Sequence, residues 1–296
     1  MPVSHLLLAL SVVFVWGTNF VVIKWGLADF PPFLFSTLRF VLSALPWVFF
    51  VRRPAVPFWR LAAAGIFTSV GQFDLLYWAM QRDISPGLAS LAIQCQVFFT
   101  ILLAIILGGE RMKVLQVGAM LLAVLGMAVV GWHGARDPSS TITLFGLLIV
   151  LVAAFCWACA NTLVRGAGKV DMLGFTMWSS LYAVPPLILV SLWAEGPARV
   201  TQALAQASWQ GWVAVLWQAL GNTVFGFGAW NWLLARHPAA TVTPVALLVP
   251  VWGMISSAWL LAEPLPGWKL VAALLVMAGL TLNLYAGRLQ PKAAAA

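Results

Sequence analysis

Apolar residues in this chain run in blocks of about 20, set apart by short polar stretches, with neither the alternation of a half-buried strand nor the stripe of a surface helix. The blocks cover 5–27, 31–51, 58–80, 86–108, 114–132, 143–165, 172–193, 208–234, 240–262 and 267–287. A nearly uncharged run of roughly 18 residues, rising about 1.5 Å per residue, is long enough to cross about 30 Å of hydrocarbon. A barrel would need alternating segments of about ten residues, and the chain has none. The pattern predicts an all-α integral membrane protein with ten transmembrane helices.

The blocks repeat as a set of five. Trp16 and Lys24 are eight apart in the first block, as are Trp157 and Arg165 in the sixth. Phe35 and Pro46 have the same separation as Phe175 and Pro186. Pro86 and Pro238 each follow a tryptophan, Trp78 or Trp230, by eight. Glu110 precedes Gly126 by sixteen, and Glu263 precedes Gly279 by sixteen. Residues 1–135 and 140–290 therefore read as two five-helix repeats, with 291–296 as a tail. Five is odd, so the second repeat enters the membrane from the opposite side. Inverted repeats of this kind let many secondary transporters expose one midplane site to either face in turn, and some channels carry them too.

Composition narrows the class. The chain is 62% hydrophobic and 8% charged, against roughly 25% charged in soluble domains. The longest connections, near 133–142 and 194–207, are too short for a catalytic or nucleotide-binding domain. The first block lacks a basic start and a small-residue cleavage site, so no cleavable signal peptide is expected. The net charge of +8 does not point to nucleic acid, because the basic residues are spread over the loops. With the N-terminus inside, ten of them fall on the cytoplasmic side (Arg52, Arg53, Arg60, Arg111, Lys113, Arg165, Lys169, Arg236, Arg288, Lys292). Five fall on the other (Lys24, Arg82, Arg136, Arg199, Lys269). That bias predicts a multi-pass protein with both termini cytoplasmic, and only Arg39 is left inside a block. Trp25, Trp59, Trp132, Trp193, Trp209 and Trp268 sit near block ends, where indoles favour the interface.

Polar residues inside the blocks each need a partner, a cavity or a substrate. Asn19 lies one turn past Trp16, and Asn161 one turn past Trp157. An indole face beside an amide suits an amino acid, whose side chain stacks while its ammonium or carboxylate bonds the amide. Packing across helices is the alternative use of such an amide. The third block holds Gln72, Asp74, Tyr77 and Trp78. Asp74 and Arg39 lie at similar depth, so Asp74 reads as an ion-pair partner of Arg39, a site for a substrate ammonium, or a proton-coupling carboxylate. Ser90 and Gln94 share a face of the fourth block, with Gln96 directed elsewhere. Trp217, Gln218, Asn222 and Thr223 form a polar band in the eighth block, ahead of Gly226 and Gly228. Thr243, Pro244 and Pro250 interrupt the ninth, where proline frees carbonyls for ligand or for a gating bend. Lys24 and Arg165 read as snorkelling cations, Glu110 and Glu263 as interfacial salt-bridge partners or loop caps. Cys156 and Cys159 spell a redox spacing, but mid-membrane they read as small packing residues along with Cys95.

At several of these places the chain resembles a known family. The stretches FVWGTNFVVIKWG (14–26), TLRFVLSALP (37–46), SPGLASLAIQCQVFFTILLAIILGGE (85–110), FCWACANTLVRG (155–166) and VALLVPVWGMISSAWLLAEPL (245–265) are similar to the EamA branch of the drug/metabolite transporter superfamily. The resemblance covers nearly the whole chain. Within the branch it is nearest to bacterial inner-membrane amino-acid exporters, for aromatic amino acids or for cysteine and O-acetylserine. It implies ten helices, cytoplasmic termini and a central cavity lined by blocks 1, 3, 4, 6, 8 and 9. Arg39 falls in the family motif of block 2, and Asp74 matches none.

Other classes lack their chemistry. His5, His133 and His237 lie at block ends and make no metal cluster, and no HExxH, GxSxG or phosphate-cradling GxxxxGK[ST] is present. No enzyme activity, cofactor or metal is expected. A channel's ring of like residues is absent as well. The sequence therefore predicts an inner-membrane exporter of aromatic or neutral amino acids working by alternating access. Efflux of multidrug cations, or export of cysteine and O-acetylserine, is the alternative. Its partners are small-molecule substrate and lipid, and the sequence leaves the oligomeric state open, a monomer included. The expected substrate-binding residues are Trp16, Asn19, Asp74, Tyr77, Trp78, Ser90, Gln94, Trp157, Asn161, Trp217, Asn222 and Thr243, with Arg39, Asp74, Pro244 and Pro250 in structural or coupling roles.

Overall fold

The apolar blocks fold as helices, and where a block carries proline, glycine or polar residues the helix changes its winding or stops. The computed structural model describes residues 1–109, 113–136, 142–168 and 170–288. Glu110, Arg111, Lys169, Lys292 and the tail 291–296 lie outside the described residues. The elements are α1 (Val3–Asp29), α2 (Pro32–Ala44), α3 (Phe58–Ile66), α4 (Leu75–Arg82), α5 (Pro86–Ala92), α6 (Gln96–Gly108), α7 (Val114–Arg136), α8 (Leu144–Arg165), α9 (Met172–Ala194), α10 (Pro197–Gln206), α11 (Trp209–Leu216), α12 (Gly226–Arg236), α13 (Ala239–Val242), α14 (Leu248–Leu260) and α15 (Gly267–Arg288). A π-helical segment, Phe67–Asp74, joins α3 to α4, and another, Trp217–Phe225, joins α11 to α12. Short 3₁₀ turns, Ile93–Cys95 and Thr243–Leu247, lead into α6 and α14.

Among the described residues, seven helices are long and apolar enough to cross a membrane: Val3–Asp29, Pro86–Leu107, Val114–Arg136, Leu144–Arg165, Met172–Ala194, Thr243–Leu260 and Gly267–Gly287. The second block is shorter than its apolar run. Pro46 has no N–H to give, so α2 stops at Ala44 and the chain continues in turns through Phe50. The outer surface is apolar, with Trp193, Trp259 and Leu274 exposed by 88%, 83% and 70%. Such an exterior suits lipid and not water. Trp25, Trp59, Trp132 and Trp209 also face outward near helix ends.

Hydrogen bonds between termini sort the helices into two ends. At one end, Glu195 after α9 accepts from the amides of Phe33 and Leu34 at the start of α2, at 2.8 and 3.0 Å. Glu263 after α14 accepts from Ser85 Oγ and the Gly87 amide at the start of α5. Asp29 ending α1 accepts from Ser208 before α11, and the Asp83 carbonyl after α4 accepts from Thr143 before α8. Carboxylates at helix N-termini satisfy orphan amides and meet the positive end of the dipole. Lys24 donates to the Met80 and Gln81 carbonyls at the end of α4, so it closes a helix C-terminus instead of snorkelling to headgroups. At the opposite end, His5 of α1 bonds His237 after α12, Trp178 of α9 donates to Val51, and Arg60 of α3 donates to Gly166 after α8. This second end carries the start of α1 and is called the near end below; the first is the far end.

Small residues allow the closest approaches. Gly126 of α7 sits on the Ala272 carbonyl and Val276 of α15, and Gly279 of α15 sits on Ala119 and Ala123 of α7. Gly253 of α14 receives Ser90 of α5, and Gly71 of the first π segment receives Cys156 of α8. Cys95, Cys156 and Cys159 are free thiols.

Glu263 also binds Lys269 at 2.9 Å, with both side chains almost fully buried. Glu263→Ala therefore removes the buried carboxylate that faces the Lys269 ammonium and uncaps α5. It should cost about 3 kcal/mol or more of stability, read as a lower melting temperature in detergent, with Glu263→Gln retaining part of the difference. An unchanged melting temperature would refute this account of the far end.

Candidate functional site

Where helix winding departs from α, polar side chains collect around a cavity of about 650 Å³. It reaches the near end at Met172, the first residue of α9, and Leu284 in the last turns of α15. Towards the far end it stops at Ile23, Leu76 and the guanidinium of Arg39. Beyond them Phe30 stacks on Phe35 and meets Trp212 edge-on, centroids 6.1 and 5.3 Å apart.

Trp16 is fixed by the second π segment and α12. Its Nε1 donates to the Asn222 carbonyl at 3.2 Å, and its ring lies 5.5 Å from Phe227 and 5.2 Å from Trp230. Gly226 gives the indole its room, since a Cβ there would collide with Trp16 Nε1. Across the cavity, Asn161 Nδ2 donates to Gln96 Oε1 at 2.9 Å, tying α8 to α6. Asn19 and Gln72 also line the cavity, each buried with its amide oxygen unpartnered. Asn231 lines it too, with Nδ2 unpartnered.

Arg39 is the one charged residue among those that line the cavity, and it is 1% exposed. Its Nη1 donates to Tyr77 Oη (2.9 Å) and Gln218 Oε1 (3.1 Å), and Nη2 donates to Thr223 Oγ1 (3.3 Å). Tyr77 Oη donates to the same Gln218 oxygen at 3.1 Å. The Phe73 ring lies 3.7 Å from the guanidinium carbon. Nε has no partner.

The ion pair between Asp74 and Arg39 does not form: no salt bridge within 4.0 Å joins them. Arg39 is turned instead to neutral acceptors on α4 and the second π segment. Asp74 is buried outside the cavity wall, with its carboxylate against the Ser36 hydroxyl.

Of the expected substrate-binding residues, Trp16, Asn19, Gln94, Trp157, Asn161, Asn222 and Thr243 line the cavity, and Arg39 joins them. Tyr77 stands behind Arg39. Trp78 does not reach the cavity; it is 40% exposed on the exterior between Phe33 and Phe145. Ser90 is turned into the α5–α14 contact and donates to the Gly87 carbonyl. Trp217 sits on the π segment away from the cavity wall, Nε1 unpartnered. Pro250 lies in the first turn of α14, where a missing N–H disrupts little, and Pro244 opens the 3₁₀ turn; neither lines the cavity. Gln96, expected to point elsewhere, faces the cavity. Two residues apart, Gln94 and Gln96 would diverge by about 160° in an α-helix but by about 120° where the winding is 3₁₀. The aromatic and amide wall thus includes Gln72, Gln96, Trp230, Asn231 and Asn283 as well.

A helical bundle with an apolar outside and a polar-lined cavity reached from one end has the architecture of a membrane transporter. Residues 3–132 and 144–285 each match the EamA-like transporter family, and the chain belongs to that family as a multi-pass membrane protein. It is 40% identical over 287 residues to a probable amino-acid metabolite efflux pump of Salmonella typhimurium, covering 96% of this chain and 95% of that one. It is 37% identical to a protein of the same description from Escherichia coli, covering 94% of each. A solved crystal structure superimposes with a TM-score of 0.65 at 19% identity, over 99% of this chain and 100% of that one, a likeness of fold alone.

The cavity's course predicts who reaches it. With Cys95, Cys156 and Cys159 replaced by alanine, Thr176→Cys at its near end should react with a hydrophilic maleimide roughly ten times faster than Leu187→Cys, buried further along α9. Equal rates would remove the opening.

Proposed function

We propose that this protein is a bacterial inner-membrane secondary transporter that exports neutral amino acids, by alternating exposure of the cavity to the two faces. In this reading the two helical runs through π segments and the short α2 complete ten spans. Residues 1–135 and 140–290 are inverted repeats, and the near end is cytoplasmic, as the bias of basic residues suggests. The double family match, one per half, supports the repeat.

The observation that carries the cargo is the set of unpartnered groups at the cavity. Arg39 Nε and Asn231 Nδ2 are donors without acceptors, and Asn19 and Gln72 offer oxygens without donors. A zwitterion supplies the complement to both, a carboxylate to the first and an ammonium to the second. Asn19 is open in this way while its counterpart Asn161 is not. Asn161 is held by Gln96, whereas Leu248 and Val249, which answer to Gln96 in the other repeat, carry no amide. Trp16, Trp157, Trp230 and Phe227 supply an aromatic wall, which supports a preference for aromatic side chains. The names of the two efflux-pump relatives agree with export of amino-acid metabolites. Moving a zwitterion carries no net charge, so the membrane potential does not oppose it. The multidrug-cation reading loses its support, because among the described residues no carboxylate lines the cavity.

Purified protein in proteoliposomes should take up labelled phenylalanine saturably, with unlabelled cysteine or threonine competing and a lipophilic cation not. Competition by the cation alone would overturn the cargo. Trp157→Ala should reduce uptake about tenfold, while Trp59→Ala, exposed at the outer surface, should change it less than twofold at matched expression. Equal losses would remove Trp157 from the site.

A further inference from the structure

Opposite charges of similar depth usually find one another in a membrane protein, because each is costly alone in a low dielectric. Here they do not. Arg39 uses both terminal nitrogens on neutral acceptors, and Asp74 has the Ser36 hydroxyl beside it and no salt bridge to Arg39. The two are nevertheless within reach. Ser36, which lies beside Asp74, is three residues before Arg39 on α2, so it shares the face from which the arginine projects. Ser36 thus places the Asp74 carboxylate on the side of α2 from which Arg39 extends.

The two sets differ in what they join. Gln218 and Thr223 belong to the second half of the chain, so the present bonds of Arg39 tie α2 and α4 to the second π segment. These bonds lie between the cavity and the Phe30–Trp212 contact at the far end. Asp74 and Ser36 both belong to the first half, so a bond to Asp74 ties the halves nowhere.

We infer that Asp74 is the alternative partner of Arg39, and that exchange of Arg39 from Gln218 and Thr223 to Asp74 unlatches the far end of the cavity. Arg39 is the latch and Asp74 a positioning residue that receives it. The inference rests on the alternating-access reading above and is independent of the cargo. It also gives a use to the one acid that lies deep inside a span and matches no family motif.

The test reads exposure of each end separately. Val215, fully buried in α11 one turn towards the far end from Gln218, becomes a far-end reporter as Val215→Cys; Thr176→Cys reports on the near end. Both are made in the background lacking the three native cysteines, in membranes, with an impermeant maleimide applied from each side. Asp74→Asn keeps the side chain's shape and removes the charge. It should lower far-end labelling about tenfold and leave near-end labelling equal or higher, as a population shift towards the latched state requires. Asp74→Glu should restore the far-end labelling. Gln218→Leu removes a neutral acceptor of the latch and should raise far-end labelling several-fold. Unchanged far-end labelling in Asp74→Asn, or a parallel change at both ends, would overturn the exchange. So would no rise in Gln218→Leu, which serves alone if Asp74→Asn does not give a monodisperse protein. A protein that fails to take up amino acids while these labels shift as described would lose the proposed cargo and keep the latch. One that transports while the labels stay fixed would keep the cargo and lose the latch.

Discussion

A guanidinium buried inside an apolar bundle cannot shed its proton, so the fold around it must supply acceptors. Arg39 sets that requirement here, and two separate segments meet it: α4 with Tyr77, and the second π segment with Gln218 and Thr223, with Phe73 beneath. The position of α2, the depth of α4 and the register of the π segment are thereby fixed relative to one another. The same group closes the cavity on one side and offers an unpartnered nitrogen to whatever enters from the other. In the proposed reading, structure and cargo recognition share one charge.

Departures from α winding put the remaining polar groups where that charge can use them. A π turn widens the helix and frees carbonyls from the i→i−4 ladder. In the second π segment the Thr223 hydroxyl donates to the Gln218 carbonyl five residues back, and the Asn222 carbonyl is left to accept from Trp16. The 3₁₀ turn before α6 brings Gln94 and Gln96 towards one side, and the second of them engages Asn161. Non-α backbone survives in a membrane only where protein or a cavity surrounds it, and all of these segments border the cavity or its roof.

This explains what could be read from the residues alone. Long apolar blocks and their flanking tryptophans need only length and hydropathy, and the helices follow them closely. Trp16, Asn19, Trp157 and Asn161 lie on regular stretches of α1 and α8, where counting in turns of about 3.6 residues holds, and all four face the cavity. The misplaced residues lie where the count fails or where another element decides. Gln96 follows a 3₁₀ turn, Trp217 begins a π segment, and Ser90 is captured by Gly253 of a helix distant in sequence. The missing Arg39–Asp74 pair belongs with these: depth was legible, but the pull of Tyr77 and Gln218 on the guanidinium was not. Glu263 as a cap was legible from its place after an apolar block, whereas Lys24 as a helix-end donor needed knowledge of which carbonyls stop beside it.

The packing also shows why sequence repeats and moving parts need not coincide. α2 and α3 pack on α9, α5 and α1 on α14, α7 on α15, and α8 on α6 and the first π segment, so the major pairings cross from one half of the chain to the other. The far-end caps reinforce the same pairs, Glu195 holding α2 to α9 and Glu263 holding α5 to α14. In the proposed alternating-access reading, such pairs move as units and bonds between pairs break. The bonds from Arg39 to Gln218 and Thr223 are of that second kind: they run from the α2–α9 pair to the segment joining α11 to α12, and they carry no carboxylate. Two or three neutral-acceptor bonds are weaker than a buried ion pair with its full desolvation cost to defend. A latch built from them can release without stranding a charge, provided a carboxylate waits on the other side.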